Sequence, residues 1–219
     1  MDDLLSKEEH RIIEEAVAEA ESRTSGEIVP YIVGRSSRYR ESGWKAAVQF
    51  GFIASAIIFG MSIFYEGWSF AWLFSFTGSS TLILSSALIG YTLARWVPAI
   101  EKHFISGSAM SEAVRLRALQ AFVEEEIFST RDRTGILLYI SLLEHRVEVF
   151  GDSGINERVQ PEDWAHVIED VLFGIKSDSL GAGLAKAIKR CGDLLVENGF
   201  DVRSDDENEL RDGVRLHDS

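Results

Sequence analysis

The residue with the clearest potential for chemistry is Asp152, which follows a predicted strand in the sequence Gly151-Asp152-Ser153-Gly154. Ligands of open α/β sheets collect beyond strand ends, and a carboxylate there can hold a hard cation such as Ca²⁺ or Mg²⁺. Glu27, Asp132 and Glu144 lie at other predicted turns and could add oxygen ligands. These four acids form our candidate metal site. The alternative is an Asx-type turn, in which the aspartate only binds backbone.

Other oxygen donors follow in the same part of the sequence, namely Glu148, Asn156 and Glu157. No nucleophile and base can be paired with them. Gly-Asp-Ser-Gly also occurs in the nucleophile loop of trypsin-like proteases, but those need a mostly β chain and a partnered upstream histidine. His10 and His103 instead lie in helical or juxtamembrane sequence.

Metal and phosphatase motifs are also lacking in the sequence. The five histidines show no ligand spacing of the His-Glu-x-x-His type. Neither Cys-x5-Arg nor Asp-x-Asp occurs. Cys191 lies on the apolar stripe of a predicted helix, which favours packing over reactivity. As the single cysteine, it cannot form an internal disulfide.

A long apolar stretch separates two charged parts of the chain. Residues 46–94 contain one formal charge, Glu66. A helix crosses a membrane with about 20 apolar residues, so we predict a transmembrane helical hairpin over residues 44–98. Basic residues flank both ends of the stretch, which predicts that both termini are cytoplasmic and the turn is outside. Because no ionisable residue lies mid-span, a transporter or channel is not favoured.

The flanking sequence predicts an α/β domain. A capped helix precedes the strand 27–33, and the strands 136–142 and 146–150 come after the apolar stretch, between helical segments. Pro30 lacks an N–H donor, which predicts an edge position or a bulge in the first strand. One helix and one strand cannot bury a core alone. We therefore predict one split domain made of residues 1–43 and 99–203, followed by a loosely attached acidic tail, 204–219.

The formal net charge of −13 argues against a nucleic-acid partner. Such a surface repels phosphate backbones and anionic lipid headgroups. It is compatible with cations or basic partners, although simple solubility is the favoured explanation.

Several segments resemble the TPM domain family, in its membrane-bound bacterial branch. They are Glu19–Val29, Thr134–Glu148, Asp152–Ile155 followed by Trp164, and Gly181–Leu184. The resemblance implies an α/β sandwich with a small mixed β-sheet between helices, here interrupted by the transmembrane hairpin in the inner membrane. Some members are acid phosphatases, others bind divalent cations, and several assist assembly or repair of membrane complexes. The segment 151–157 departs from the glycine-rich pattern of the lumenal members.

These observations give two hypotheses for function. The first is a membrane-anchored, non-catalytic interaction or assembly module that binds other membrane proteins, with Ca²⁺ or Mg²⁺ as a candidate ligand. The second is a metal-assisted acid phosphatase, implied by the resemblance alone.

Overall fold

A computed structural model describes residues 5–65, 67, 70–177, 179–202, 209–211 and 213–217. It divides into two compact units, Met1–Ser37 with Met110–Ser219 and Arg38–Ala109. The helical unit thus takes in more chain than the predicted hairpin. Expectations that concern Glu66 and half of the acidic tail lie outside the described residues.

The described strands form one four-stranded mixed sheet in the order β3-β2-β1-β4. Their bounds are β1 Glu27–Val33, β2 Gly135–Ser141, β3 Arg146–Gly151 and β4 Arg215–His217. β1 is parallel to β2 and to β4, and β3 is antiparallel to β2. The predicted α/β class with a small mixed sheet is therefore confirmed.

Eight α-helices accompany the sheet in the described part of the chain. They are α1 Lys7–Glu21, α2 Arg40–Phe64, α3 Phe76–Trp96, α4 Pro98–His103, α5 Gly107–Glu124, α6 Ser153–Asn156, α7 Ala165–Lys176 and α8 Leu180–Glu197. Short 3₁₀ turns cover Ala71–Phe74, Ile127–Ser129 and Pro161–Trp164. The predicted capping box at the first helix is present, with Ser6 and Glu9 bonding each other's backbone N–H.

The sheet is buried on both faces. Successive side chains of a strand point to opposite sides, so each strand contributes to two cores. Ile28, Ile32 and Leu138 join a core built with α1, α7 and α8. Tyr31, Tyr139 and neighbouring valines join a second core under α5. β1 and β2 are buried along their whole length, as their nearly continuous apolar sequence indicates. Cys191 is fully buried in the first core, and this burial raises the pKa of its thiol to about 12.

The far edge of the sheet corrects our expectation for the tail. Arg215–His217 pairs with Tyr31–Val33 as β4, so this part of the tail is attached rather than loose. The His217 ring stacks on Tyr31 at 4.7 Å between centroids, with 6° between the planes. Pro30 precedes the paired residues of β1 and thus has a strand neighbour, β2, on one side only. Its missing N–H disrupts no ladder there.

Within the second unit, α2 and α3 pack against each other while exposing many apolar side chains. In the described chain, α2 alone is long and apolar enough to span a membrane, judged by length and composition. Its most apolar window has a mean hydropathy of 1.9 and is 11% buried. The predicted hairpin of two spanning helices is thus not supported, since α3 does not meet the same criteria.

The contact between α2 and α3 depends on Gly90. A Cβ atom at this position would lie 2.7 Å from Phe50 Cγ and 2.9 Å from the Ala46 carbonyl oxygen. At Gly60 in α2, by contrast, no described atom lies within 4 Å of the corresponding position.

We expect Gly90→Ala to destabilise the helical unit by about 1–3 kcal/mol, because the methyl group must push the two helices apart. Gly60→Ala is the matched control, and it should be neutral or stabilising by up to about 1 kcal/mol through helix propensity. Thermal unfolding followed by circular dichroism in detergent micelles measures both. Destabilisation of equal size in the two variants would contradict the packing described for this pair of helices.

Candidate functional site

The four acids predicted to bind a metal lie at two opposite ends of the sheet. Glu27 opens β1 and is in register with Gly135, the first residue of β2. Asp152 follows β3, and its N–H donates to the Gly135 carbonyl at 2.9 Å. Glu144 lies in the turn after β2, whose seven residues span about 20 Å. The structure therefore separates Glu144 from the other acids.

Asp152 is buried and is engaged by backbone and by an arginine. It caps α6, with Oδ1 accepting from the Ser153 N–H at 2.7 Å. Arg133 Nη2 donates to Oδ1 at 3.0 Å. Arg133 Nε lies 2.7 Å from Oδ2, in a geometry too bent for a hydrogen bond, so this second contact is purely ionic. The guanidinium thus already supplies a positive charge to this carboxylate.

Glu27 and Asp132, the other acids at the Asp152 end of the sheet, also interact with other residues. Glu27 is buried, and its two carboxylate oxygens accept from the N–H groups of Glu209 and Leu210 at 3.2 and 3.4 Å. Asp132 is exposed on the adjacent turn. Among the described residues, no three acidic, histidine or cysteine side chains are grouped as a metal site. The structure thus places Glu144 apart from the other three acids, and Glu27 and Asp152 already accept hydrogen bonds from backbone or arginine.

Glu144 belongs to a buried polar network at the carboxyl ends of β1 and β2. Its Oε1 accepts from the Ser36 N–H at 3.1 Å, and its Oε2 accepts from the Ser141 hydroxyl. Ser36 Oγ bonds Ser141 Oγ at 2.8 Å and lies 3.0 Å from the Tyr139 hydroxyl. Burial raises the pKa of Tyr139. The network ties the loop after β1 to the β2–β3 turn.

A cleft of about 370 Å³ lies along the outer edge of β3. Its walls come from β3, from α5 and from the segment that leads into α7; the lining residues are Arg115, Glu148, Val149, Phe150, Gly151, Asn156, Pro161, Trp164 and Ile168. The volume falls within the range of ligand-binding pockets, about 300–1,000 Å³. We call these residues the β3 cleft.

Two charged side chains in the β3 cleft have no partner among the described residues. Glu148 is half-buried and makes no hydrogen bond or ion pair there; Arg115 is exposed and makes none either. Burial raises the pKa of Glu148, against the smaller opposing effects of Arg115 and Arg146. The cleft thus presents a carboxylate and a guanidinium that interact through charge but make no hydrogen bond or ion pair among the described residues.

The backbone of β3 is also open toward the cleft. The backbone groups of the even-numbered residues in and just before β2 bond to β1, as the 3.2 Å bond from the Glu27 N–H to the Thr134 carbonyl shows. The backbone groups of the odd-numbered residues therefore face β3. By the alternation of antiparallel ladders, the N–H and C=O groups of Val147 and Val149 point away from β2. The next outward carbonyl, of Gly151, accepts from Asn156 Nδ2 at 2.6 Å. The edge strand therefore offers backbone donors and acceptors.

Sequence analysis missed the β3 cleft as a site. The sequence indicated Glu148 and Asn156 only as oxygen donors near Asp152, and residues 146–150 only as a strand. Arg115 and Trp164 join them through tertiary packing across both faces of the sheet, for which the linear sequence carries no signal.

Comparison with known proteins supports the fold alone. No family model and no curated protein matches the chain. Among solved structures, the NMR structure of the BA42 protein from the psychrophilic bacterium Bizionia argentinensis is similar, with a TM-score of 0.60 and 18% sequence identity. The match covers 99% of this chain and 98% of BA42.

We expect Glu144→Ala to destabilise the domain by about 1–3 kcal/mol, because the Ser36 N–H and the Ser141 hydroxyl lose a buried acceptor. Chemical denaturation of the full-length protein measures the free energy of unfolding. Glu162→Ala, which removes an exposed carboxylate, should change it by less than about 0.5 kcal/mol. Equal changes in the free energy of unfolding from the two substitutions would contradict the structural role assigned to the network.

We expect Glu148→Gln to raise Tm at pH 7. Because the folded-state pKa of Glu148 lies above the unfolded value of 4.5, its protonation favours folding below pH 4.5 and this contribution is lost as pH rises. The neutral amide avoids that loss, so the gain in Tm should shrink toward pH 4. Thermal scans at both pH values measure it. Glu112→Gln on the exposed side of α5 is the control, and a gain that grows on acidification would refute the desolvation argument.

Proposed function

We propose that this chain is a membrane-anchored, non-catalytic interaction or assembly module. The observation that carries the proposal is the β3 cleft, where an open strand edge, a carboxylate and a guanidinium all lie without partners among the described residues. Groups of this kind gain free energy when another molecule supplies the missing partners. A binding role therefore follows more directly than a reaction.

The anchor in this proposal is the helical unit, with α2 as the better supported span. A helix of 25 residues is about 37 Å long, which exceeds the hydrocarbon core. Its side chains include Phe52, Phe59 and Phe64, which are 74%, 68% and 86% exposed. Such a surface is compatible with lipid. We propose that α3 returns the chain to the same side, which leaves both termini in the cytoplasm at the inner membrane.

The remaining architecture is consistent with the TPM-like sandwich that the sequence resembles. A small mixed sheet lies between α5 on one face and α1, α7 and α8 on the other. In this proposal the split cytoplasmic domain presents the β3 cleft to neighbouring membrane proteins. The strongly negative net charge favours partners with basic segments.

A phosphatase function draws less support from the arrangement of the acids. Asp152, the residue expected to organise a metal, is paired with Arg133, and Glu144 serves a separate network. Neither is placed to act on a phosphate ester together with the other. The phosphatase hypothesis therefore rests on the family resemblance alone and has no support from the geometry of the acids.

The proposal predicts discrete crosslinks from the cleft in native membranes. A photo-reactive amino acid at exposed Pro161, which lines the cleft, should give reproducible adducts with other membrane proteins. The same group at exposed Glu15 on α1, outside the cleft, is the matched control and should give few. Adducts are resolved by gel shift and identified by mass spectrometry.

Two results would count against this function. Equal adduct patterns from positions 15 and 161 would show that the cleft is not a binding surface. Release of phosphate from an aryl phosphate by the purified protein with Mg²⁺ or Ca²⁺, lost in Asp152→Ala, would favour the phosphatase instead.

A further inference from the structure

We infer that the β3 cleft binds an extended segment of another protein, which adds to β3 as a further strand and places a basic side chain beside Glu148. The inference rests on the proposed function and specifies the class of partner. Three features of the described residues support it: the orientation of the backbone, the two different walls of the cleft, and its charges.

Strand addition needs an edge whose alternate residues direct N–H and C=O groups outward. Val147 and Val149 meet it, since the ladder to β2 uses the groups of Arg146, Glu148 and Phe150. No other described strand lies beyond β3 in the sheet. An incoming segment can therefore bond the backbone of the two valines.

The two walls of the cleft differ in character, which specifies the side-chain pattern of the segment. Val149 packs with the core on the side of Trp164 and Ile168, and Pro161 extends this apolar wall. Glu148 and Phe150 point to the opposite side, where Arg115 of α5 stands. A strand that enters the cleft should therefore alternate, with apolar residues toward Trp164 and charged residues toward α5.

The charges in the β3 cleft determine which charged residues the incoming segment should carry. Glu148 and Arg115 lie on the same side of the cleft, and neither makes a hydrogen bond or an ion pair among the described residues. A basic side chain beside Glu148 and an acidic one two residues away, toward Arg115, would complement both. Burial already raises the pKa of Glu148, so a cation would gain a carboxylate that water hydrates poorly. The segment thus has the pattern apolar–acidic–apolar–basic–apolar.

The test uses the full-length protein in lipid nanodiscs and a fluorescent blocked peptide, acetyl-Val-Glu-Val-Lys-Val-Thr-amide. We expect saturable binding by fluorescence anisotropy at peptide concentrations below about 1 mM. Two altered probes accompany it: one with N-methyl groups on alternate amides, which keeps the side chains but removes strand hydrogen bonds, and one with glutamate replacing lysine. Both should bind at least about fivefold more weakly.

Protein variants test the same contacts from the other side. Val149→Pro removes one outward N–H without touching the ladder to β2, and should abolish binding. Glu148→Gln should weaken binding of the lysine probe about three- to fivefold, the upper range for one cross-strand charge pair. Glu112→Gln is the control and should bind like the unmodified protein. Thermal scans establish that each variant is folded, and the N-methylated probe decides the question if Val149→Pro is not.

Several outcomes would overturn the inference. Equal binding of the N-methylated probe would exclude strand addition, and equal binding of the glutamate probe would exclude the role of Glu148. A chain dimer that Val149→Pro dissociates would assign the edge to a second copy. Crosslinks from position 161 without peptide binding would be consistent with the interaction function but would exclude this class of partner. The absence of both crosslinks and peptide binding would exclude the interaction function as well as the strand-adding partner.

Discussion

The fold depends on the parallel pairing of β1 with β2. Seven residues on each side are held in register, from Glu27 opposite Gly135 to Val33 opposite Ser141, although about 100 residues separate them in sequence. Both strands are buried, so their backbone groups have no access to water and must bond each other. Together with the packing of α1 on α8, this pairing joins the amino-terminal segment to the rest of the domain. It also places β3 at one edge and leaves the other edge to β4.

The elements that follow from local patterns could be predicted, whereas those that need a partner could not. Alternation in Arg146–Phe150 and the capping box at Ser6 are local, and they predicted β3 and α1 correctly. The three residues of β4 carry no such pattern. They form a strand because β1 offers an open backbone edge and Tyr31 a ring on which His217 stacks. A strand of this kind is invisible until the surface that receives it is known.

The direction of β3 puts Asp152 at the opposite end of the sheet from the one that the ligand-binding rule describes. Asp152 ends a strand, as the ligand-binding rule for open sheets requires, but that rule concerns the carboxyl ends of parallel strands. Since β3 is antiparallel, Asp152 lies instead beside the amino-terminal ends of β1 and β2. Buried acids at both ends accept hydrogen bonds from backbone, serine or arginine. These bonds are what a carboxylate needs in order to be buried without a cation.

The half-buried state of Glu148 separates two explanations for a charge on an edge strand. Edge strands often carry charges that prevent association with other sheets, and such charges work best when fully hydrated. Glu148 is instead partly desolvated by the walls of the cleft, which raises its pKa and costs stability at neutral pH. A carboxylate that served only to keep the edge soluble would gain nothing from those walls. The same walls strengthen any interaction with a cationic side chain, because they lower the local dielectric constant. The burial of Glu148 is thus a cost to the free domain and an advantage to a complex, and this asymmetry favours recognition as the role of the edge.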